Sequence, residues 1–262
     1  RIDINLQACF PELDESARRR LERRYQRALF DAVLRTPLLW WGSADRLARR
    51  TRFRGKAHFD AALAEGRAVV LLISHTVALD GGMISMSPRH ALQGFYKPFK
   101  NPVLDWLVRR SRTRFGGNPV ARGMGFRTMI RGLREGKSLC YLSDEDLGAE
   151  GSVFAPFFGH RKATLAMLPR IARATGAVVI PMATYYDHRS GDYEVCFQPP
   201  LAPFPSGDAL VDTTRMNAAI EHSVRERPEQ YLWKLALFRT DPEGGPSRYQ
   251  QILDGQLTPG EL

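Results

Sequence analysis

One stretch of the chain brings together residue types that could do acid–base chemistry. An apolar run ends in Ser74-His75, and Asp80 follows five residues later, ahead of Gly81 and Gly82. Histidine is the side chain whose ordinary titration falls near neutral pH. In open α/β sheets, ligands bind beyond the carboxyl ends of strands, which is where His75 falls if residues 68–74 form a strand. A short turn into a helix would fold Asp80 back onto the imidazole, fixing its tautomer and steadying the charged ring. His75 would then be a general base with no serine of its own, and the substrate would supply the hydroxyl nucleophile. A histidine at a strand end is also a common structural residue, so H-x4-D by itself leaves both readings open.

A second strand end carries Asp144-Glu145-Asp146, directly after the apolar Ser138 to Leu142. If the two strands are parallel neighbours, these acids share an edge with His75. There they could position a substrate, hold a cation, anchor an arginine, or simply cap the loop. The third feature is Arg109, Arg110, Arg112 and Arg114 on one expected helix. Arg109 and Arg112 share a face, as do Arg110 and Arg114, an arrangement suited to clamping phosphates or to a solvated basic surface. There is no G-x-S-x-G elbow, Walker A loop, H-E-x-x-H or C-x-x-C, which removes the common nucleotide, flavin and zinc-protease readings. Gly123-Met124-Gly125 lacks the third glycine of a dinucleotide fingerprint and is expected to follow a helix.

These residues need a scaffold, and the periodicity supplies one. Leu13, Ala17, Leu21, Tyr25, Ala28, Leu29, Ala32 and Val33 recur at helical spacing, with arginines between them at 18, 19, 20, 23, 24 and 27. That is a long basic amphipathic helix over 13–33, followed by Leu38-Leu39-Trp40-Trp41. Its apolar side is expected to pack on the core, and its basic side to meet solvent, a membrane surface or an acidic partner. Helices are expected near 56–65, 101–114, 125–135, 163–175 and 208–226. Strands are expected at 68–74, 92–96, 138–142, 177–186 and 193–198. This alternation indicates an α/β fold with a central, mostly parallel sheet flanked by helices. The chain reads as a single domain over 1–262: a helical N-terminal arm (1–55), an α/β core (56–240) and a partly loose C-terminal tail (241–262).

Composition narrows the partners. The formal charge is +10, and 32 of the 38 basic residues are arginine. Residues 1–54 alone hold 13 arginines, no lysine and seven acids. Arginine pairs bidentately with phosphates and carboxylates, so an anionic partner is expected: nucleic acid, anionic lipid or an acidic carrier protein. The aromatics are not interleaved with the basic stretches as a base-stacking platform requires, which ranks nucleic acid below the other two. Cys9, Cys140 and Cys196 are odd in number and far apart, against a disulfide framework or zinc site. The longest clean apolar run, Ala68 to Ile73, is far short of the roughly 20 residues of a spanning helix. Because the sequence starts at Arg1, an anchor or signal ahead of it is one expectation.

Five ordered blocks resemble the bacterial late acyltransferases of lipid A biosynthesis, the lauroyl/myristoyl transferases related to lysophospholipid acyltransferases. Asp3 to Glu12 (DINLQACFPE) is similar to the family's opening NLxxxFPE, and His75…Asp80 to its H-x4-(D/E) dyad. Tyr96 to Leu107 (YKPFKNPVLDWL) with Arg109 to Arg112 is similar to the second block. Asp144 to Gly148 (DEDLG) with Gly151 to Gly159 (GSVFAPFFG) resembles the third, and Pro228 to Trp233 (PEQYLW) the closing motif. The resemblance runs from about Ile2 to Glu243. Two departures are Asp80, where many members carry glutamate, and Lys234 to Arg239 (KLALFR), where many carry His-Arg-Arg-Phe-Lys.

The resemblance implies transfer of a fatty acyl chain from the thioester of acyl carrier protein to a hydroxyl of a lipid A precursor. It implies His75, Asp80 and Arg112 as catalytic residues, and Arg109, Asp144, Asp146 and Lys97 as substrate-binding residues. It requires no metal and no organic cofactor. It implies acyl carrier protein, an anionic amphiphile and a membrane surface as partners, with no nucleic acid, at the cytoplasmic face of a bacterial inner membrane. A thiolate leaving group needs little protonation, whereas the acceptor hydroxyl needs a base, which a His–Asp pair supplies. An acyl-enzyme on Ser74 or Cys140 has no activating arrangement in the sequence. The same dyad would also serve another amphiphilic acceptor, such as a lysophospholipid or glycolipid. A different class, metal-assisted hydrolysis, would use His75, Asp80, Asp144 and Asp146 as ligands.

Overall fold

The N-terminal arm begins with helix α1 (Ile2–Cys9), which buries Leu6, Ala8 and Cys9 in the main core. Asp14 then caps helix α2 (Glu15–Trp41) by accepting from the Ala17 N–H, a common way to satisfy an orphan donor of the first turn. The helix is longer than its periodicity predicts: it continues through Pro37, so Trp40 and Trp41 form its last turn. The chain proceeds through α3 (Ala44–Arg49), β1 (Thr51–Arg54), α4 (Ala57–Ala64), β2 (Val69–Ile73), α5 (Leu79–Met86), β3 (Leu92–Tyr96), α6 (Pro102–Thr113) and β4 (Asn118–Ala121). It continues with α7 (Phe126–Arg134), β5 (Ser138–Leu142), β6 (Ser152–Phe157), β7 (His160–Leu165), α8 (Leu168–Thr175), β8 (Val178–Asp187), β9 (Asp192–Phe197), α9 (Ala209–Glu226) and α10 (Arg248–Leu253). This computed structural model describes residues 1–121 and 125–262; Gly123 and Met124 of the expected glycine pair lie outside the described residues. Gly125 follows the β4 segment rather than a helix.

Among the described residues, seven strands form one sheet in the order β1-β9-β8-β2-β5-β3-β4. Every pairing is parallel except β8 with β9. The central strand β2 is VVLLI, buried at every position. Val70 and Leu72 enter one core with Leu139, Tyr141 and Val179, while Val69, Leu71 and Ile73 enter another with Cys140, Ile180 and Met182. A sheet covered on both faces therefore reads as an unbroken apolar run, as a parallel strand should. All three cysteines are buried.

Two expectations change on folding. The region from 163 is not helical at its start, because β6 and β7 form an antiparallel hairpin with its turn at Phe158-Gly159, both at positive φ. The tail is not loose. Tyr249 of α10 accepts from the Leu237 and Phe238 N–H groups at 2.9 and 3.2 Å and donates to Asn5 Oδ1 at 2.5 Å, while Leu262 is buried. Among the described residues, no helix is long and apolar enough to cross a membrane.

Candidate active site

β2 and β5 are parallel neighbours, with Ile73 opposite Leu142. Their carboxyl ends therefore deliver His75 and Asp144 to adjacent positions. The Asp144 carboxylate bridges two parts of the histidine: the His75 backbone N–H donates to Oδ2 at 2.7 Å, and Nδ1 lies 2.6 Å from Oδ1. One acid thus sets both the backbone and the ring. Asp144 is fully buried, whereas the His75 side chain is 20% exposed at the wall of a cleft.

The carboxylate on the imidazole is therefore Asp144's and not Asp80's. Asp80 sits in the first turn of α5 and makes a two-pronged pair with Arg112 of α6: Nε to Oδ1 at 3.0 Å and Nη2 to Oδ2 at 3.0 Å. The cause is geometric. α5 lies so close to the sheet that a Cβ on Gly81 would fall 2.3 Å from the Tyr193 ring, and one on Gly82 would fall 2.0 Å from Thr184 Oγ1. The paired glycines let the helix dock there, with Asp80 meeting α6 while β5 supplies the acid for His75.

Charge on Asp144 is sustained by its surroundings. Burial alone would raise its carboxyl pKa, but the His75 ring, its two hydrogen bonds and Lys162 outweigh burial, and the net direction is down. Lys162 of β7 was not singled out in the sequence. It is a completely buried lysine whose Nζ donates to the Ser143 carbonyl at 2.9 Å and to Thr164 Oγ1 at 3.2 Å. Burial pushes its ammonium down to about 8, while Asp144 and Asp146 oppose that shift. Tyr231, also buried, has its hydroxyl pushed up by burial and by Asp144. The sequence signal for Lys162 was slight: a lone lysine in an alternating run, legible only once 160–165 is read as a strand.

The closing block holds the histidine loop from the other side. Leu232 N–H donates to the His75 carbonyl at 2.9 Å, and Val77 N–H to the Gln230 carbonyl at 2.8 Å. Asn5 of the opening block donates to the carbonyls of Trp233 and Leu235 at 2.8 and 3.0 Å. The closing block thus holds the backbone of the His75 loop, and the opening block holds the closing block.

The cleft has a volume of about 240 Å³. It opens because β3 and β5 stay paired only as far as Gly94 and Cys140, although β5 stays on β2 to Leu142 and β3 stays on β4 to Tyr96. Leu79, Met83, Leu92, Phe95, Phe99 and Leu142 make its wall largely apolar. His75, Arg112 and Lys97 bring charge or acid–base capacity to it. A second apolar cavity of about 320 Å³ shares Phe95, Cys140 and Leu142 with the first.

The other expected residues are placed differently. Arg109 is exposed on α6 and does not line the cleft. Asp146 is buried and braces the C-terminal loop, accepting from Thr240 N–H and Oγ1, both at 2.6 Å, and from Gly148 N–H at 3.0 Å. The four α6 arginines do not form one clamp. Arg110 lies over the Trp106 ring and Arg114 donates to the Leu39 carbonyl, while Arg112 holds Asp80. Cys140 borders the cleft, but burial pushes its thiol up to about 12, opposite to what an activated nucleophile needs. Among the described residues, no three His, Cys, Asp or Glu side chains gather as a metal site. The ligand set of the metal reading is split between the His75–Asp144 pair, the Arg112 contact and the Thr240 brace.

A family model described as bacterial lipid A biosynthesis acyltransferase matches residues 1–240. A Haemophilus influenzae lipid A biosynthesis acyltransferase is 37% identical over 245 residues, covering 93% of this chain and 76% of that protein. The Escherichia coli lipid A biosynthesis lauroyltransferase is 31% identical over 246 residues, covering 94% and 80% of the two chains. The Escherichia coli lipid A biosynthesis myristoyltransferase is 30% identical over 249 residues, covering 95% and 77%. With a family model matched over residues 1–240 and relatives similar over more than nine-tenths of its length, the chain belongs to the bacterial lipid A biosynthesis acyltransferase family.

Proposed function

We propose that the protein transfers a fatty acyl chain from the thioester of acyl carrier protein to a hydroxyl of a lipid A precursor, at the cytoplasmic face of the inner membrane. The observation that carries the mechanism is the Asp144 bridge to His75, at 2.7 Å to the backbone N–H and 2.6 Å to Nδ1. With Nδ1–H donated to Asp144, the nitrogen that accepts the substrate's proton is Nε2. The acceptor oxygen attacks the thioester carbonyl as His75 takes its proton, and an ionised Asp144 stabilises the imidazolium that forms. The tetrahedral intermediate collapses by breaking the C–S bond. The thiol leaves with the proton held by His75, and the ester stays on the acceptor.

Arg112, fixed at the cleft wall by Asp80, supplies positive charge for the oxyanion or for a phosphate of the acceptor. Lys97 adds a second cation at the same cleft, and the apolar wall between β3 and β5 accommodates the acyl chain. Arg109, outside the cleft, fits a role in attracting an anionic partner rather than holding it. The mechanism requires no metal or organic cofactor. The same dyad would serve another amphiphilic acceptor, which is why the assay must vary the acceptor as well as the donor.

The test is mass spectrometry of the lipid product after mixing the protein with acyl carrier proteins of several chain lengths and a tetra- or penta-acylated precursor. A gain of one acyl chain, absent with His75→Ala, is expected. Transfer to a lysophospholipid in place of the precursor would redirect the acceptor assignment, and undiminished transfer by His75→Ala would remove the base.

A further inference from the structure

The solvent face of α2 changes chemistry halfway along the helix. Over its first half the outward side chains include Arg19, Arg20, Arg23 and Arg27, all exposed, with Glu15 paired to Arg19. From there on the same face is apolar: Phe30, Val33, Leu34 and Trp41 are 62, 62, 61 and 60% exposed, and Pro37 lies among them, also exposed. Positions 30, 33, 34, 37 and 41 form one helical stripe, about 16 Å long at 1.5 Å per residue. The helix itself is firmly seated. On its inner side Asp31 pairs with His188 at 2.8 Å, the Arg35 guanidinium lies 3.7 Å over the Tyr186 ring, and Leu39 is buried. α6 packs against α2 and adds its own exposed apolar residues, Val103 and Trp106, close in sequence to Phe99 at the cleft.

A contiguous exposed stripe of this kind marks a docking surface, and charge decides its occupant. A second copy would bring the same arginines together in a chain that already carries +10. An anionic lipid surface complements both halves: arginines meet the headgroups, the stripe enters the acyl boundary, and Trp41 sits at the level between them. We propose that the outer face of α2, from Arg19 to Trp41, lies in the interface of an anionic bilayer. The inference deepens the membrane-surface reading above and rests on it for what the docked protein reaches there. It extends the lipid contact beyond the basic side of the 13–33 stretch to the apolar stripe that ends at Trp41.

Flotation of the purified chain with vesicles of phosphatidylglycerol and phosphatidylcholine, against pure phosphatidylcholine, tests this directly. Wild type and His75→Ala should bind the anionic vesicles equally, which separates docking from chemistry. Phe30→Asp/Leu34→Asp should lose at least tenfold in partition with unchanged circular dichroism, and each of Arg19→Gln and Arg23→Gln should cost about fivefold. Should the double variant misfold, Trp41→Phe serves instead: it should remove most of the vesicle-induced blue shift in tryptophan emission. Equal binding to neutral vesicles, or undiminished binding by the stripe variants, would overturn the proposal. So would a lipid-free dimer that the double variant converts to monomer, since the stripe would then be a self-interface.

Discussion

Asp144 gains its place at the residue scale from two partners on one carboxylate, a backbone N–H and an imidazole Nδ1. Asn in its place would offer a donor where an acceptor is required and favour the wrong tautomer. Asp144→Asn should therefore lower kcat by roughly 10³–10⁴-fold, as measured in steady-state transfer assays. Asp80 acts through Arg112, so Asp80→Asn should cost less, about 10–100-fold. Arg112→Lys should not restore activity, since lysine cannot reproduce the two-pronged contact. Lys162 gives a pH-dependent signature in stability. Burial pushes its ammonium down to about 8 against 10.5 in the open chain. Between those values the unfolded chain holds the extra proton, so the stability of wild type relative to Lys162→Met should rise with pH from 8 to 10 and stay flat below 8. Urea unfolding at four pH values checks it, and a flat difference throughout would contradict it. His75, Asp80, Arg112 and Asp144 were all visible in the sequence, but their pairing was not. A spacing of five residues says that Asp80 can turn toward His75, whereas the partner came from a residue 69 positions away through strand pairing.

Elements explain the rest of what was and was not legible. β2, β5 and β8 announce themselves as apolar runs because both faces of a parallel sheet are covered. The β6–β7 hairpin is concealed by Pro156 within its first strand and by a Phe158-Gly159 turn in place of the more familiar Asn-Gly. The tail looked loose because its many Pro, Gly and polar residues mask the few contacts that fasten it. Chief among these is Tyr249, which satisfies two backbone donors at once. Tyr249→Phe should cost about 1–3 kcal/mol in urea unfolding by leaving those buried donors unpaired. The docking of α5 is equally specific: Gly82→Ala places a methyl 2.0 Å from Thr184 Oγ1 and should destabilise by about 1–3 kcal/mol, with partial recovery in Gly82→Ala/Thr184→Ala. Unchanged stability in Gly82→Ala would show that α5 has more room than its packing indicates, and in Tyr249→Phe that the Leu237 and Phe238 donors find other acceptors.

For the whole molecule, charge and cleft act together. The +10 balance and its arginine bias should make transfer from an acidic carrier protein fall with ionic strength, more steeply than transfer from a short uncharged thioester. The pairing of His75 with Asp144 is tested by comparing four proteins in one acyl-transfer assay: wild type, His75→Ala, Asp144→Asn and Asp80→Asn, each confirmed folded by circular dichroism. Asp144→Asn should lose nearly as much kcat as His75→Ala, while Asp80→Asn retains a clearly larger share. If Asp80→Asn were as inactive as His75→Ala and Asp144→Asn ran near the wild-type rate, the orienting acid would be Asp80 and not Asp144.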